Sequence, residues 1–394
     1  MNDHQNRIQL IDIIRGFALF GILLVNMQSF YSPEFIEMYY GKTKTYYGLE
    51  LILALFFQLF IQMKFYPIFS FLFGVGFYFY YNKTNGINLF IRRLLILLMF
   101  GLFHLVFIWY GDILHLYALT GLFLIFFHKL SNRSIIYWAF FFIVLYHVLL
   151  GASIFYIPNE AQFNKHLFEN IVLEYTSVYM EASYPEWLLY RLKIEILPIL
   201  LQIPFAMIPV LGMFLLGLYT GKKQLYVHNE NNDFQIKRIW TWSFIFSIPF
   251  LVVNGIILTS TFSLGLSAEG LSQFLTSISG IIMSILYMSS FYFLTKKTRA
   301  LFLFRFIGKM ALTNYLLQSI ICISFYRFFH LYGEIGLLQG TLFSFILFSG
   351  QLLFSYYWLI YFHHGPFEWL WRCFTYGKLV PFKRKPDNNR LINE

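Results

Sequence analysis

Polar and ionisable side chains recur at helical spacing inside apolar sequence. In LIDIIRGFALFGILLVNM, residues 10–27, Asp12, Arg15 and Asn26 interrupt a run otherwise built of leucine, isoleucine, phenylalanine and valine. At 100° per residue the three share a wedge of about 60° on one helix face. Asp12 and Arg15 are close enough in sequence to pair, and Asn26 follows Arg15 by eleven residues, about 16 Å along a helix axis. RRLLILLMFGLFH repeats the layout, with Arg93 and His104 again eleven residues apart and within about 20° of one face. WYGDILH then places Asp112 across a short turn from His104, with His115 next on the same face. A guanidinium recognises phosphate oxygens in a bidentate manner. An imidazole oriented by a carboxylate serves as a general base, and an amide can donate to a developing oxyanion. Such residues at bilayer depth face a bundle interior or a wet cavity, because an ionised group in hydrocarbon costs at least about 2.5 to 3.5 kcal/mol.

Each of these residues also has a purely structural reading. Asp12 and Arg15 could lock helices as an ion pair, and a histidine on an apolar helix, as at His147, is commonly a packing residue. His104, Asp112 and His115 lack the spacing of a known zinc site. In RFIGKMALTNYLLQS, Lys309 stacks with Thr313 and Asn314 with Gln318 at four-residue spacing, which suits cavity lining or hydrogen bonding between helices. Lys64 follows an apolar run, 48–63, and is a further candidate for the cavity wall. Trp369, Trp371 and Tyr376 beside Arg372 and Lys378 read as an interfacial anchor. Gly74 and Gly76 in FSFLFGVGF read as close helix packing rather than a nucleotide loop.

The elements that carry these residues are membrane helices. Hydrophobic residues make up 58% of the 394 and charged ones 12%, against roughly 45–50% and 25% in soluble domains. The sequence predicts an all-α, polytopic transmembrane bundle of about ten spans near 10–30, 65–82, 89–109, 112–130, 134–156, 192–220, 238–260, 270–294, 305–329 and 336–361. Residues 48–63 add a short interfacial or re-entrant helix. One membrane domain, 1–378, is followed by a basic tail, 379–394. Pro198, Pro204 and Pro209 predict a repeatedly kinked sixth span with its freed carbonyls satisfied by protein or water. The segment 157–191, rich in glutamate, carries Leu167, Ile171, Tyr175, Val178 and Tyr179 at helical spacing and is expected to form an amphipathic lid on the outer surface.

Lysine and arginine cluster in alternate loops and in the tail, which predicts cytoplasmic N- and C-termini. The net charge of +10 is scattered between apolar runs, so nucleic acid is not an expected partner and the lipid bilayer is. No removable signal peptide is recognisable at the start. Cys322 and Cys373 offer neither a disulfide framework nor a metal motif.

The motifs RIQLIDIIRGFALFGILLVNM, FSFLFGVGF, RRLLILLMFGLFHLVFIWYGDILHLYALTG, GKMALTNYLLQS and GPFEWLWRCFTYGK resemble, in order and nearly end to end, those of the bacterial YeiB-like membrane proteins, domain of unknown function 418. For that family a transport role has been suggested. More distantly, Asp12, Arg15 and Gly16 resemble the Asp-x-x-Arg-Gly pattern in the first helix of membrane acetyltransferases typified by heparan-alpha-glucosaminide N-acetyltransferase and of the acyltransferase family 3 proteins. That likeness implies acyl transfer from cytoplasmic acyl-CoA to a small-molecule or glycan acceptor on the outer side, with no permanently bound cofactor. The lysosomal enzyme's histidine in the loop after that helix has no counterpart in YSPEFIEMYYGKTKTYYG, and His104 stands in for it.

Two functions follow as expectations. In an acyltransferase, Arg15 and Arg93, with Asp12, hold the donor, His104 and Asp112 form the catalytic pair, and Asn26, Lys64, His115, Asn314 and Gln318 line the cavity. In a secondary transporter, the same stripes line an alternating-access path. A non-catalytic scaffold is the third reading, and a bacterial plasma membrane is the expected location.

Overall fold

The computed structural model describes residues 2–39, 46–84, 86–154, 165–259 and 266–384. Its helices are α1 (Asn2–Tyr31), α2 (Glu34–Tyr39), α3 (Gly48–Phe56), α4 (Phe65–Thr84), α5 (Ile87–Phe107), α6 (Leu114–Leu124), α7 (Asn132–Ile154) and α8 (Lys165–Glu181). They continue as α9 (Tyr184–Arg191), α10 (Leu197–Lys223), α11 (Glu230–Thr259), α12 (Leu266–Lys297), α13 (Phe304–Lys309), α14 (Ala311–Phe328), α15 (Leu337–Tyr361) and α16 (Pro366–Tyr376). Among the described residues, the only β pairing is an isolated bridge between Phe362 and Lys383. This is an integral membrane helix bundle. We call the end bearing Arg92, Lys222, Lys296 and Arg372 the basic end, and the other the far end.

Among the described residues, eight helical segments are long and apolar enough to cross a bilayer, or nine with the bent pair Ala300–Lys309 and Ala311–Phe328 taken as one span. Helices lie within all ten expected spans, but one of them is short and another is bent. Within 112–130 only Leu114–Leu124 is an α-helix, 11 residues long, or about 16 Å, half the hydrocarbon thickness. Residues 48–63, expected as a short interfacial or re-entrant helix, run with the next helix in one long segment, Gly48–Asn82. That segment is broken at Gln62–Lys64, where Gln62 is extended and Met63 adopts a φ of 62°.

The break lies deep in the bundle. A Cβ on Gly21, midway along α1, would collide with the Phe65 ring, and one on Gly280, midway along α12, would meet the Met63 carbonyl oxygen at 2.4 Å.

In the sixth span, Tyr184–Lys223 runs as one segment through all three prolines, with a π turn at Leu192–Ile196 just before Pro198. A wider turn absorbs the lost hydrogen bond and the ring's bulk. A sharp bend, 82°, lies between α13 and α14 at Met310.

Burial ranks the spans. The apolar window of α1 is 72% buried, whereas those of α7 and α11 are 17% buried each, so α1 is the hub and α7 and α11 present their phenylalanines and valines to lipid. Glycines allow the close crossings. The Cβ positions of Gly16 and Gly308 would meet the carbonyl oxygens of Phe304 and Asp12 at 2.1 and 1.9 Å, a reciprocal lock between α1 and α13. Gly74 and Gly217 make the same arrangement between α4 and α10, against Phe214 and Phe71. Of the two glycines in FSFLFGVGF, therefore, Gly74 packs as expected. Gly76 has open space around it.

Gly217→Val should force α4 and α10 apart and cost about 2–3 kcal/mol, whereas Gly76→Ala should be neutral or slightly stabilising. Thermal melting of the two variants in detergent checks the pair, and an unchanged melting temperature for G217V would contradict the crossing.

Candidate functional site

The lock between α1 and α13 sets the first functional group. Arg15 Nη1 donates to Asp12 Oδ1 at 2.9 Å and to the Gly308 carbonyl at 3.3 Å. The guanidinium is thus tied to the last turn of α13, beside Lys309, and remains partly exposed at the basic end. Past Lys309 the chain turns into α14, whose first amides lack partners within the helix. Glu368 of α16 supplies the cap: its Oε1 accepts from Thr313 N at 3.0 Å and its Oε2 from Thr313 Oγ1 at 2.5 Å. Thr313 Oγ1 in turn accepts from Phe367 N at 3.1 Å.

α16 also fixes the second arginine. The Arg93 guanidinium stacks 3.6 Å from the centroid of the Trp371 ring and 5.2 Å from that of Tyr80, and Trp371 Nε1 donates to the Arg93 carbonyl at 2.9 Å. Among the described residues Arg93 has no carboxylate partner. Stacking on an aromatic face leaves the edges of a guanidinium, with its donors, available to a ligand.

These elements enclose a hollow of about 280 Å³ at the basic end. Arg15, Arg93, Lys309 and Arg372 place four cations on its wall, with Glu368 as the one carboxylate and Phe69, Phe73, Phe77 and Tyr117 as apolar sides. Burial pushes the Glu368 carboxyl above its usual range, against the hydrogen bonds from Thr313 that pull it down. The positive field extends to His364, which burial and its neighbours Arg372, His363 and Arg384 hold down at about 4.

The hollow ends on Tyr315, Ile22 and Ile113, and the same three residues close a second hollow of about 140 Å³ towards the far end. Asn26, Gln62, Met63 and Tyr66 line the second space. Tyr315 is the partition: its hydroxyl accepts from Ile113 N at 3.2 Å and donates to the Gly111 carbonyl at 3.4 Å.

Behind Tyr315 stands the histidine cluster. Asp112 Oδ2 lies 2.9 Å from His104 Nδ1, and Asp112 Oδ1 lies 2.8 Å from His115 Nδ1. Asp112 Oδ1 also accepts from the backbone N of His115 at 2.9 Å, capping α6. The approach depends on Gly101, whose Cβ would meet His115 N at 2.3 Å. The His104–Asp112 contact is short but falls off the hydrogen-bond direction, and His104 Nε2 is buried without a hydrogen-bond partner among the described residues. The His104 ring lies 5.3 Å from that of Tyr315, centroid to centroid. His104, Asp112 and His115 line neither hollow.

The structure therefore brings Arg15 and Arg93 to one cavity, sets Asn26 in a second, and joins His104, Asp112 and His115 behind their shared wall. Asp12 stands back from the cavity as the partner of Arg15. Lys64 is fully buried at the break between α3 and α4, and its Nζ donates to the Gln58 carbonyl at 3.0 Å. Asn314 and Gln318 take the interhelical reading. Asn314 Nδ2 donates to Ser355 Oγ at 2.8 Å, Gln318 Nε2 to Gln351 Oε1 at 2.9 Å, and Gln351 Nε2 to the Asn314 carbonyl at 2.9 Å, all between α14 and α15.

Sequence reasoning raised Lys309 as cavity lining but did not include Tyr315, Arg372, Trp371 or Glu368 among the site residues. A usable signal was present for the last: Gly365-Pro366 opens a short amphipathic helix with an acidic residue in its first turn, and a carboxylate that near cavity-lining cations invites a pairing question.

Asp112→Ala would leave two buried imidazoles without their shared acceptor, so a loss of about 2–3 kcal/mol in detergent stability is expected. Equal melting of D112A and the unmodified chain would show the cluster to be dispensable. His364 binds a proton less readily in the fold than in the unfolded chain, near 4 against 6.5. Its stabilising contribution is thus complete above pH 6.5 and lost as pH falls towards 4. Melting temperatures measured across that interval should fall less steeply for His364→Gln.

Residues 220–378 match the family described as "Protein of unknown function (DUF418)". That stretch holds Lys309, Tyr315, Glu368, Trp371 and Arg372, while Arg15, Arg93 and His104 precede it. The chain is similar along its length to the uncharacterized protein YxaH of Bacillus subtilis (strain 168), with 31% identity across 96% of each chain. It is also similar to an uncharacterized 39.9 kDa protein in the amylase 3' region of Bacillus acidopullulyticus, 28% identical across 97% of each. The uncharacterized protein YeiB of Escherichia coli (strain K12) is 26% identical, over 93% of this chain and 95% of its own. No solved structure matches. With one relative above 30% identity from end to end and the family's own pattern over the C-terminal helices, this integral membrane protein belongs to the DUF418 family.

Proposed function

We propose that the chain is a transmembrane acyltransferase of the bacterial plasma membrane, taking an acyl group from cytoplasmic acyl-CoA at the basic end and passing it to an acceptor at the far end. The observation that carries this reading is the set of four cations, Arg15, Arg93, Lys309 and Arg372, around one narrow hollow that ends on Tyr315. A phosphate-rich head suits the cations. A thin thioester arm suits an aromatic channel of about 280 Å³, at the small end of ligand pockets. The positive-inside rule puts that end in the cytoplasm.

In this reading Tyr315 turns aside to join the two hollows. The acceptor's hydroxyl or amine, held near Asn26 and Gln62, attacks the thioester carbonyl carbon while His104 Nε2 takes its proton. The carbon–sulfur bond breaks and the proton passes to the leaving coenzyme A thiolate. Asp112 holds the imidazole as it charges. Purified protein is expected to release free thiol from acetyl-CoA, and His104→Ala to abolish that release at normal expression. Arg93→Gln should weaken donor binding at least about tenfold, as loss of a charge-assisted contact worth about 1.5–3 kcal/mol requires. Full activity in H104A would remove the proposed base, and absence of acyl-CoA binding would remove the donor.

A second reading, a secondary transporter, has its own support. Two helix breaks, Gln62–Lys64 and Met310, adjoin the hollows, and discontinuous helices commonly surround transported solutes. Uptake into sealed vesicles without thioester loss would select it.

A further inference from the structure

A third hollow lies on the opposite side of α1 and α4 from the site, between α7, α10, α11 and α12. It measures about 860 Å³ and shares no lining residue with either of the other two. On α12 its wall runs from Phe274 to Tyr292, about 27 Å at 1.5 Å per residue, close to the roughly 30 Å depth of bilayer hydrocarbon. Ile143, Ile281 and Met288 typify that wall. His147 and Tyr292 on it have internal partners: His147 Nδ1 lies 2.8 Å from the Ile143 carbonyl and its Nε2 3.2 Å from Ser277 Oγ, while Tyr292 donates to Asp233 Oδ1 at 2.7 Å. Asp233 also binds Lys296 at 2.7 Å and so straps α11 to α12 at the basic end.

The slot meets an open groove of about 550 Å³ along the lipid-facing side of α11, the two sharing Ile239, Ile282 and Ile285. Trp242 and Phe246 line the groove, and Arg238 stands on it near the basic end. Among the described residues Arg238 has no carboxylate partner, and Lys237 adds a second positive charge beside it. Two apolar channels at bilayer depth, joined below a cation, have the shape and charge of one particular kind of molecule.

We propose that this face binds an anionic two-chain phospholipid. One acyl chain fills the slot, the other lies in the groove, and the headgroup phosphate pairs with Arg238, as basic pockets between spans pair with acidic lipid heads. The site is independent of the cationic cavity and of the acyl-transfer reading. A lipid there would fill the gap between α7 and α11 at the edge of the bundle.

Delipidated protein exposed separately to phosphatidylglycerol and phosphatidylcholine micelles, then analysed by native mass spectrometry, tests this. The unmodified chain should hold one phosphatidylglycerol at least fivefold more than phosphatidylcholine. Arg238→Glu should abolish that preference, and Val144→Trp, at the exposed mouth of the slot, should lose both lipids. Equal retention of the two headgroups by the unmodified chain overturns the proposal. So does a preference that survives in R238E, or full retention in V144W. If V144W is not monodisperse, R238E alone decides.

Discussion

The reciprocal glycine contact between α1 and α13 is the constraint from which the site follows. Because neither Gly16 nor Gly308 carries a Cβ, the two backbones meet at carbonyl distance, and the Arg15 guanidinium can reach across from Asp12 to the Gly308 oxygen. A charge at bilayer depth is costly unless hydrogen-bonded and paired, and this crossing meets that condition for Arg15 while leaving part of it exposed. The Asp-x-x-Arg-Gly pattern thereby gains a physical meaning. The aspartate neutralises, the arginine bridges, and the glycine admits the helix that brings Lys309.

The remaining cations are assembled by a different device. α16 is too short to span a membrane, yet it closes the cavity from the basic end and holds two partners at once. Glu368 caps α14, and Trp371 braces Arg93. A helix that began at Ala311 without that carboxylate would leave amides unpaired inside the bundle, so the α16 cap serves the 82° bend. With Arg15 offset by Asp12, Arg93, Lys309 and Arg372 against one buried carboxylate leave the hollow electropositive, and electrostatic attraction in a site walled by aromatic rings is screened less than at a surface.

Tyr315 sets the relation between the two ends. It lines both hollows, packs beside His104 and bonds to the backbone at Gly111 and Ile113, the turn that carries Asp112. A movement of this one side chain would change both the continuity of the path and the surroundings of the imidazole. On the other side of α1, α7 and α11 turn most of their surface to lipid, and the hollows beside them are lined mainly by apolar side chains.

The sequence by itself determined the class of fold, the positions of the helices and the pairing of Asp12 with Arg15 and of Asp112 with His104, because these depend on local composition, helical period and short turns. It also placed Arg15 and Arg93 on matching stripes. Only the tertiary structure decided that the stripes meet one cavity while Asn26 meets another, that Asn314 and Gln318 bond to α15, and that Lys309, Tyr315, Glu368, Trp371 and Arg372 complete the site. It also decided that residues 48–63 meet the next helix at a break and that an 82° bend falls at Met310. The reason is that a period along one helix states which residues share a face, whereas the partner of that face depends on backbone approach, and here glycines nearly three hundred residues apart set that approach.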